Sequence, residues 1–444
     1  AEGSVTRADD IPVEILLERL PFGLDPLVVE VDRPVAPPAV SVETVTRDQI
    51  RRVPAALEAD VFRALQALPG VVAPNILSSR LLVRGGEADQ NLFMLDGYPI
   101  IYPHHLGGGF SAFHVDAVQD VNLWLAVPPA RYGGALSSVL DIGLREGNRE
   151  ELTGTASLGL VTSSAVVEGP HPAGAWFVGA RRTYLDQISR VGNRRFPYHF
   201  YDVYAKSYAE LSPSDRLSML AFFGRDRLWS VRTGGPAPPS GTETPPREEL
   251  WWQNGVFGAT WRHLFGGDAV LEQRLSFSTF SQQLHGARGH LQQGRPETTH
   301  EVDLLTAAGQ FRWMAPRRHE IEVGYTLEQR EERHRTSYAV HFGGMPPMRI
   351  GGGQSARAVT AALCVQDDVT LTDAFRVRLG LRAESVGEHG ALLPRVAARY
   401  RLTERLSILG GWGLHTQHDH LLQDPDAPLS SVYSVDIWHS AHET

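Results

Sequence analysis

Three groups of side chains in this sequence are of types that do chemistry at close spacing. His415, His418 and His420 stand in His-Thr-Gln-His-Asp-His beside Asp419, and imidazoles with a carboxylate suit a transition metal. On a strand His418 and His420 share a face while His415 lies opposite, so the three converge only in a loop. Tyr102, His104 and His105 precede Gly107-Gly108-Gly109, offering aromatic and imidazole groups on flexible backbone to a ligand. A hydrolase oxyanion loop has similar composition, but it requires a Gly-x-Ser-x-Gly elbow between strand and helix, and the sequence has none. The third group is a set of arginines, Arg376, Arg378 and Arg382 with Arg395, Arg399 and Arg401. They suit steering of an anion or, as the reading taken here, pairing with plug carboxylates and with wall acids such as Glu320 and Glu322. The hydrolase reading is set aside, and no enzymatic activity, no catalytic residues and no cofactor are proposed.

The elements that position these groups are strands. Ala269, Leu271, Leu275 and Phe277 alternate with Glu272, Arg274, Ser276 and Ser278, and Ile321, Val323, Tyr325 and Leu327 with Glu320, Glu322, Thr326 and Glu328. The same two-residue period returns at Phe375–Arg382 and Arg395–Leu402, so one face of each strand is apolar and the other charged. Connections alternate between short and long. The short ones are 171–174, 212–215, 266–268, 316–318, 372–374 and 403–404; longer segments are expected near 187–199, 230–249, 284–298, 335–355, 384–393 and 418–432. Short turns on one side and long loops on the other are the layout of a membrane β-barrel. Trp261, Phe265, Trp313, Tyr325, Phe375 and Tyr400 fall on the apolar faces, several of them near the turns, where an interfacial girdle would lie.

Composition narrows the classes. The 444 residues carry a net charge of -9, which argues against a nucleic-acid binder. One cysteine, Cys364, removes disulfide scaffolds and thiolate zinc clusters. No apolar run approaches the 18 or so residues of a membrane helix, a test that a barrel does not have to meet. Lys206 is the only lysine, and the arginine excess is read as coding bias. Before the alternating region, residues 51–148 mix a helix at Asp60–Leu68 with short strands and glycine turns, a small α+β domain. Residues 1–50 are proline-marked and read as a linker.

The order of short motifs resembles the TonB-dependent outer-membrane receptor family. Asp25-Pro26-Leu27-Val28-Val29-Glu30-Val31 resembles a TonB box, and Val45–Ile50 with Asp60–Leu65 and Leu68-Pro69-Gly70-Val71 the opening of the plug. Arg84-Gly85-Gly86 and Leu95-Asp96-Gly97 follow, then Asp116–Val121, Arg131-Tyr132-Gly133-Gly134 and Val139–Ile142. Val365-Gln366-Asp367-Asp368 and Gly411-Trp412-Gly413 carry weaker texture in the barrel.

The resemblance implies a linker with its box at 1–50, a plug at 51–148 and the N-terminal portion of an antiparallel transmembrane barrel at 149–444. It implies an outer-membrane receptor for TonB-energised uptake of a scarce siderophore, vitamin, glycan or peptide. The alternative is a surface binding or signalling protein with the same plug and strands but no transport. The implied partners are TonB with its inner-membrane complex through Asp25–Val31, outer-membrane lipid, and a ligand met by Tyr102, His104 and His105. About 13 strands are counted against about 22 in family barrels, so strands are expected beyond Thr444.

Overall fold

The computed structural model describes residues 4–6, 12–14, 42–53, 58–75, 78–125, 127–187, 197–230, 248–285, 294–316, 318–340, 348–404, 406–422 and 437–443. The chain divides into two units, 1–38 and 39–444. In the first, Ser4–Thr6 pairs antiparallel with Pro12–Glu14; everything below concerns the second.

A five-stranded sheet runs in the order Val42–Thr46, Val118–Trp124, Ser138–Leu144, Asn91–Leu95 and Tyr98–Pro99. Ser138–Leu144 and Asn91–Leu95 are parallel and the other pairs antiparallel. Val42–Thr46 lies inside the stretch expected as linker. Its β-branched alternation gives it an edge-strand role against Val118–Trp124, so the folded part begins earlier than residue 51. Helix α1, Arg47–Arg52, starts in a capping box: the Thr46 hydroxyl accepts from Gln49 N at 3.4 Å, and Gln49 Oε1 accepts from Thr46 N at 2.8 Å. Helix α2, Val61–Leu65, is capped by Asp60 and buries Val61, Phe62, Ala64 and Leu65 against the sheet. Leu68, past the end of the helix, packs half-buried beside it.

Thirteen strands form the second sheet: β1 (Thr153–Leu158), β2 (Thr162–His171), β3 (Gly174–Thr183), β4 (Tyr198–Glu210), β5 (Asp215–Ser230), β6 (Glu248–Phe265), β7 (Ala269–His285), β8 (Gly294–Ala315), β9 (His319–Val340), β10 (Met348–Thr370), β11 (Phe375–Val386), β12 (His389–Arg401) and β13 (Ser407–Gly413). Each pairs antiparallel with the next. Gln417–Leu422 and Ile437–Glu443 make a separate pair.

The short turns fall where expected, but the connection expected as a longer segment at 384–393 is a two-residue turn. Val386 pairs with His389, and Gly387 at φ +57 closes the hairpin between them. The polar run Glu388-His389-Gly390 reads as a loop, yet His389 and Gly390 continue the ladder.

The two faces of this wall differ. Phe257, Phe277 and Leu305 stand in register on the outer face across β6 to β8, all exposed. Leu305 to Trp313 spans about 26 Å along β8 at ~3.3 Å per residue, which at a barrel tilt of about 40° projects to roughly 20 Å, most of the ~25 Å apolar band of a membrane barrel. Beyond Leu305 the same face turns charged: Arg333 meets Asp303 at 2.6 Å, Glu331 at 2.8 Å and Glu301 at 3.0 Å. The inner face packs on the five-stranded domain, which therefore sits as a plug against the wall.

Candidate functional site

Among the described residues, polar contacts between plug and wall gather in three main regions, and a cavity opens between the two. The first region is built by β4 and β5. Alternation turns Tyr198, Phe200, Asp202, Tyr204 and Lys206 of β4 inward together with Asp226 of β5. His105 enters between two of these carboxylates, bonded to Asp226 Oδ2 through Nδ1 at 2.7 Å and ion-paired with Asp202 Oδ1 through Nε2 at 2.9 Å, its ring stacked on Phe200 at 4.0 Å. Arg181 on β3 joins Asp202 at 2.6 Å, Glu58 of the plug at 3.1 Å and the Ser111 carbonyl at 2.9 Å. Tyr198 donates to Asp226, and Tyr204 to the Ala112 carbonyl.

Tyr102, His104 and His105, expected on an open ligand loop, are therefore all buried against the wall. Asn254 donates to the Tyr102 carbonyl at 2.7 Å, and the His104 ring packs against Phe62 and Tyr102. Burial, with Arg80 and His105 nearby, holds the His104 pKa well below the usual histidine value. For His105 burial pulls the same way, but Asp202 and Asp226 outweigh it and lift its pKa to about 9. The sign follows: a folded pKa above the ordinary 6.5 stabilises fully below about pH 6.5, and the contribution fades as pH rises through about 9. Denaturant unfolding between pH 6 and 10 should show this decline, and His105→Gln should flatten it; an unchanged slope in the variant would refute the assignment.

The second region surrounds the Leu95-Asp96-Gly97 turn. Asp96 at φ 52 and Gly97 at φ 79 give the hairpin twist that joins Asn91–Leu95 to Tyr98–Pro99. Asp96 Oδ1 accepts from Leu144 N at 3.0 Å and Gly97 N donates to Asp141 at 3.0 Å. The other Asp96 oxygen meets Lys206 Nζ of the wall at 3.1 Å; Lys206 also pairs with Glu146 at 2.6 Å and donates to the Leu144 carbonyl at 3.2 Å. Tyr98 reaches Thr260 at 2.6 Å, its ring lying on Gly258 where no side chain would fit. In the Arg84-Gly85-Gly86 turn, a Cβ on Gly86 would meet Ser137 Oγ at 2.5 Å, so glycine is needed for close approach.

The third region is the segment Pro128–Gly134. Arg131 pairs with Glu322 of β9 at 3.1 Å, and Ala130 N donates to Gln366 at 3.0 Å. Arg395 donates to the carbonyls of Pro128 (3.1 Å), Pro129 (2.7 Å) and Tyr132 (2.7 Å). Arg382 pairs with Glu384 at 2.6 Å and donates to the Arg131 carbonyl at 3.1 Å, leaving no room for a Cβ on Gly133. With Arg378 on Asp368 at 2.6 Å, these inward arginines are paired structurally. Arg399 bonds Ser407, Arg401 reaches the Asp373 carbonyl, and Arg376 is exposed.

A cavity of about 140 Å³ opens beside this segment, between Leu92, Met94 and Gly97 of the plug and inward side chains of β7 to β11. His418 lines it, 3.4 Å from Glu384. His415 is half-buried near Arg395, and the His420 side chain lies outside the described residues. Among the described residues no group of three or more His, Cys, Asp or Glu side chains is arranged to hold a metal. Asp25–Val31 also lies outside the described residues.

Asp202, Asp226, Arg181, Lys206 and Arg395 were not singled out as plug contacts from the sequence, apart from the general pairing of the arginine rows. Their available signal was a charge at an inward position of an alternating strand, flanked by large aromatics, as in Tyr198–Tyr208.

Two family profiles match the chain: "TonB dependent receptor-like, beta-barrel" over residues 169–414 and "TonB-dependent Receptor Plug Domain" over 35–139. No curated protein sequence matches. Similar solved structures include the unliganded ferric citrate transporter FecA (TM-score 0.66, 14% identity, 85% of this chain and 63% of that chain). The outer membrane transporter YddB from Escherichia coli gives 0.63 at 12% identity, covering 85% and 61%. The siderophore receptor PirA from Pseudomonas aeruginosa gives 0.60 at 14%, covering 85% and 62%. The chain thus spans a little over three fifths of their length, and at these identities the likeness is one of fold.

Proposed function

Because the chain belongs to the TonB-dependent receptor family, we propose that it forms the plug and part of the wall of an outer-membrane receptor for TonB-energised uptake of a scarce ligand, of siderophore, vitamin, glycan or peptide class. The observation that carries this reading is a folded plug seated on the inner face of an apolar-backed wall, by shared apolar packing and by ion pairs at separate places.

In this reading the ligand binds outside and the box at Asp25–Val31 is captured as an added strand on TonB's sheet. Tension then reaches Val42–Thr46 first, the edge strand of the plug, held by five residue pairs to one neighbour. Unzipping that edge exposes Val118–Trp124 and loosens the plug from one side. Tyr102, His104 and His105 serve recognition by fixing the apex loop against β4 to β6. No step alters the ligand covalently.

Deleting Asp25–Val31 tests this. Uptake of a panel of ferric siderophores, vitamins, glycans and peptides should fall to background while binding to whole cells is unchanged and the protein still partitions into detergent-extracted outer membranes. Full uptake by the deletion variant would overturn the reading. Binding without uptake in the unmodified protein would favour surface binding or signalling.

A further inference from the structure

The cavity beside the plug is lined by several arginines, and two of them have their counter-ions outside it. Arg274 of β7 lines it, and its counter-ion Glu272 does not; Arg131 of the plug lines it, and its counter-ion Glu322 does not. Glu272 also serves Arg262 at 3.2 Å, and Glu322 also faces Arg312 at 3.8 Å, so each carboxylate is shared between two guanidiniums. Arg131 and Arg274 are thus two like charges lining one space.

The wall beneath them has a regular layout. Arg274 stands opposite Ala308 in the β7–β8 register, with Thr306 and Gln310 two residues to either side on the same inward face. Thr326 stands opposite Ala308 on β9. Thr306 and Gln310 are only 7% and 8% exposed, and both line the cavity. Among the described residues the Thr306 hydroxyl and Gln310 Nε2 have no hydrogen-bond partner. Buried donors of this kind are rare because each costs the desolvation of the group, so two of them around a small methyl floor mark a place for an acceptor.

We propose that this is a binding site for a small oxyanion, carboxylate or phosphate in type, seated over Ala308 between Arg131 of the plug and Arg274 of the wall. Guanidinium forks and neutral donors together suit a planar or tetrahedral oxyanion. The volume decides the size class: about 140 Å³ is well below the ~300–1,000 Å³ of sites for drug-sized ligands, so the occupant is distinct from a large transported cargo. Glu328, Arg330 and the Arg382–Glu384 pair line the cavity as well. Seated there, the anion offsets the like charges of Arg131 and Arg274 and ties plug to wall.

The test is equilibrium binding of radiolabelled inorganic phosphate to the detergent-purified protein, with acetate as competitor at constant ionic strength. One saturable site per chain is expected, weakened about tenfold or more by Arg274→Gln and about threefold by Thr306→Val. The valine variant removes a hydroxyl that bonds nothing here, so it keeps the fold and decides the matter even if Arg274→Gln does not fold. Displacement by acetate identifies a carboxylate-accepting site, and resistance to it a phosphate-selective one. No saturable binding, or unchanged affinity in Thr306→Val, overturns the proposal.

Discussion

Replacing Asp202 with alanine should cost about 3 kcal/mol of folding stability, because each of two buried cations loses one of its two carboxylate partners. Arg181 and His105 both lean on this carboxylate, at 2.6 and 2.9 Å, and all three are almost fully buried. His105 retains Asp226 and Arg181 retains Glu58, so the loss falls at the seam between plug and wall. A lower denaturant midpoint and faster protease cleavage within residues 100–115 are the readouts. The paired change Arg181→Met with Asp202→Leu removes cation and anion together and should recover most of the loss. If the double variant were as unstable as Asp202→Ala, lost packing and not lost charge pairing would be the cause.

Arg395→Ala should cost about 3 kcal/mol and act locally. Among the described residues this buried guanidinium is bonded to carbonyl oxygens and makes no ion pair, so its contribution comes from three donors meeting Pro128, Pro129 and Tyr132. Hydrogen bonds to a charged group contribute about 1.5–3 kcal/mol each, and the carbonyls left behind recover part of that from water. Residues 127–134 should lose hydrogen-exchange protection while the capped helix α1 keeps its own. Arg395→Lys should rescue little, since one ammonium cannot span three acceptors held by a planar fork. Full rescue by lysine would show that charge alone matters there.

The sequence exposed the wall more fully than the seam. Period-two alternation is a local property, so the strands around Phe277, Val323 and Leu379 and six of the turns were legible. The turn at Gly387-Glu388 was not, because glycine and polar residues mark loops and tight hairpins alike. The plug motifs were legible as an ordered series of glycine turns, and the structure supplies local reasons in the φ values at Asp96-Gly97 and the close approach at Gly86. What each inward charge meets was hidden. His105 and Asp226 are 121 residues apart, and Arg395 and Pro129 are 266 apart. Those meetings are set by sheet curvature and by how the plug seats, neither of which leaves a local pattern. Tyr102, His104 and His105 illustrate the consequence: polar residues beside three glycines read as a solvated loop until the wall that buries them is known.

Lys206 gives the seam a chemical handle. It is the only side-chain amine in these 444 residues, 7% exposed and held by Asp96 and Glu146. Amine-directed acylating reagents thus find a lysine that is shielded while the plug is seated and protonated beside two acids. Any motion that withdraws Asp96 uncovers it, so acylation at this one position would time the parting of plug and wall without an engineered label.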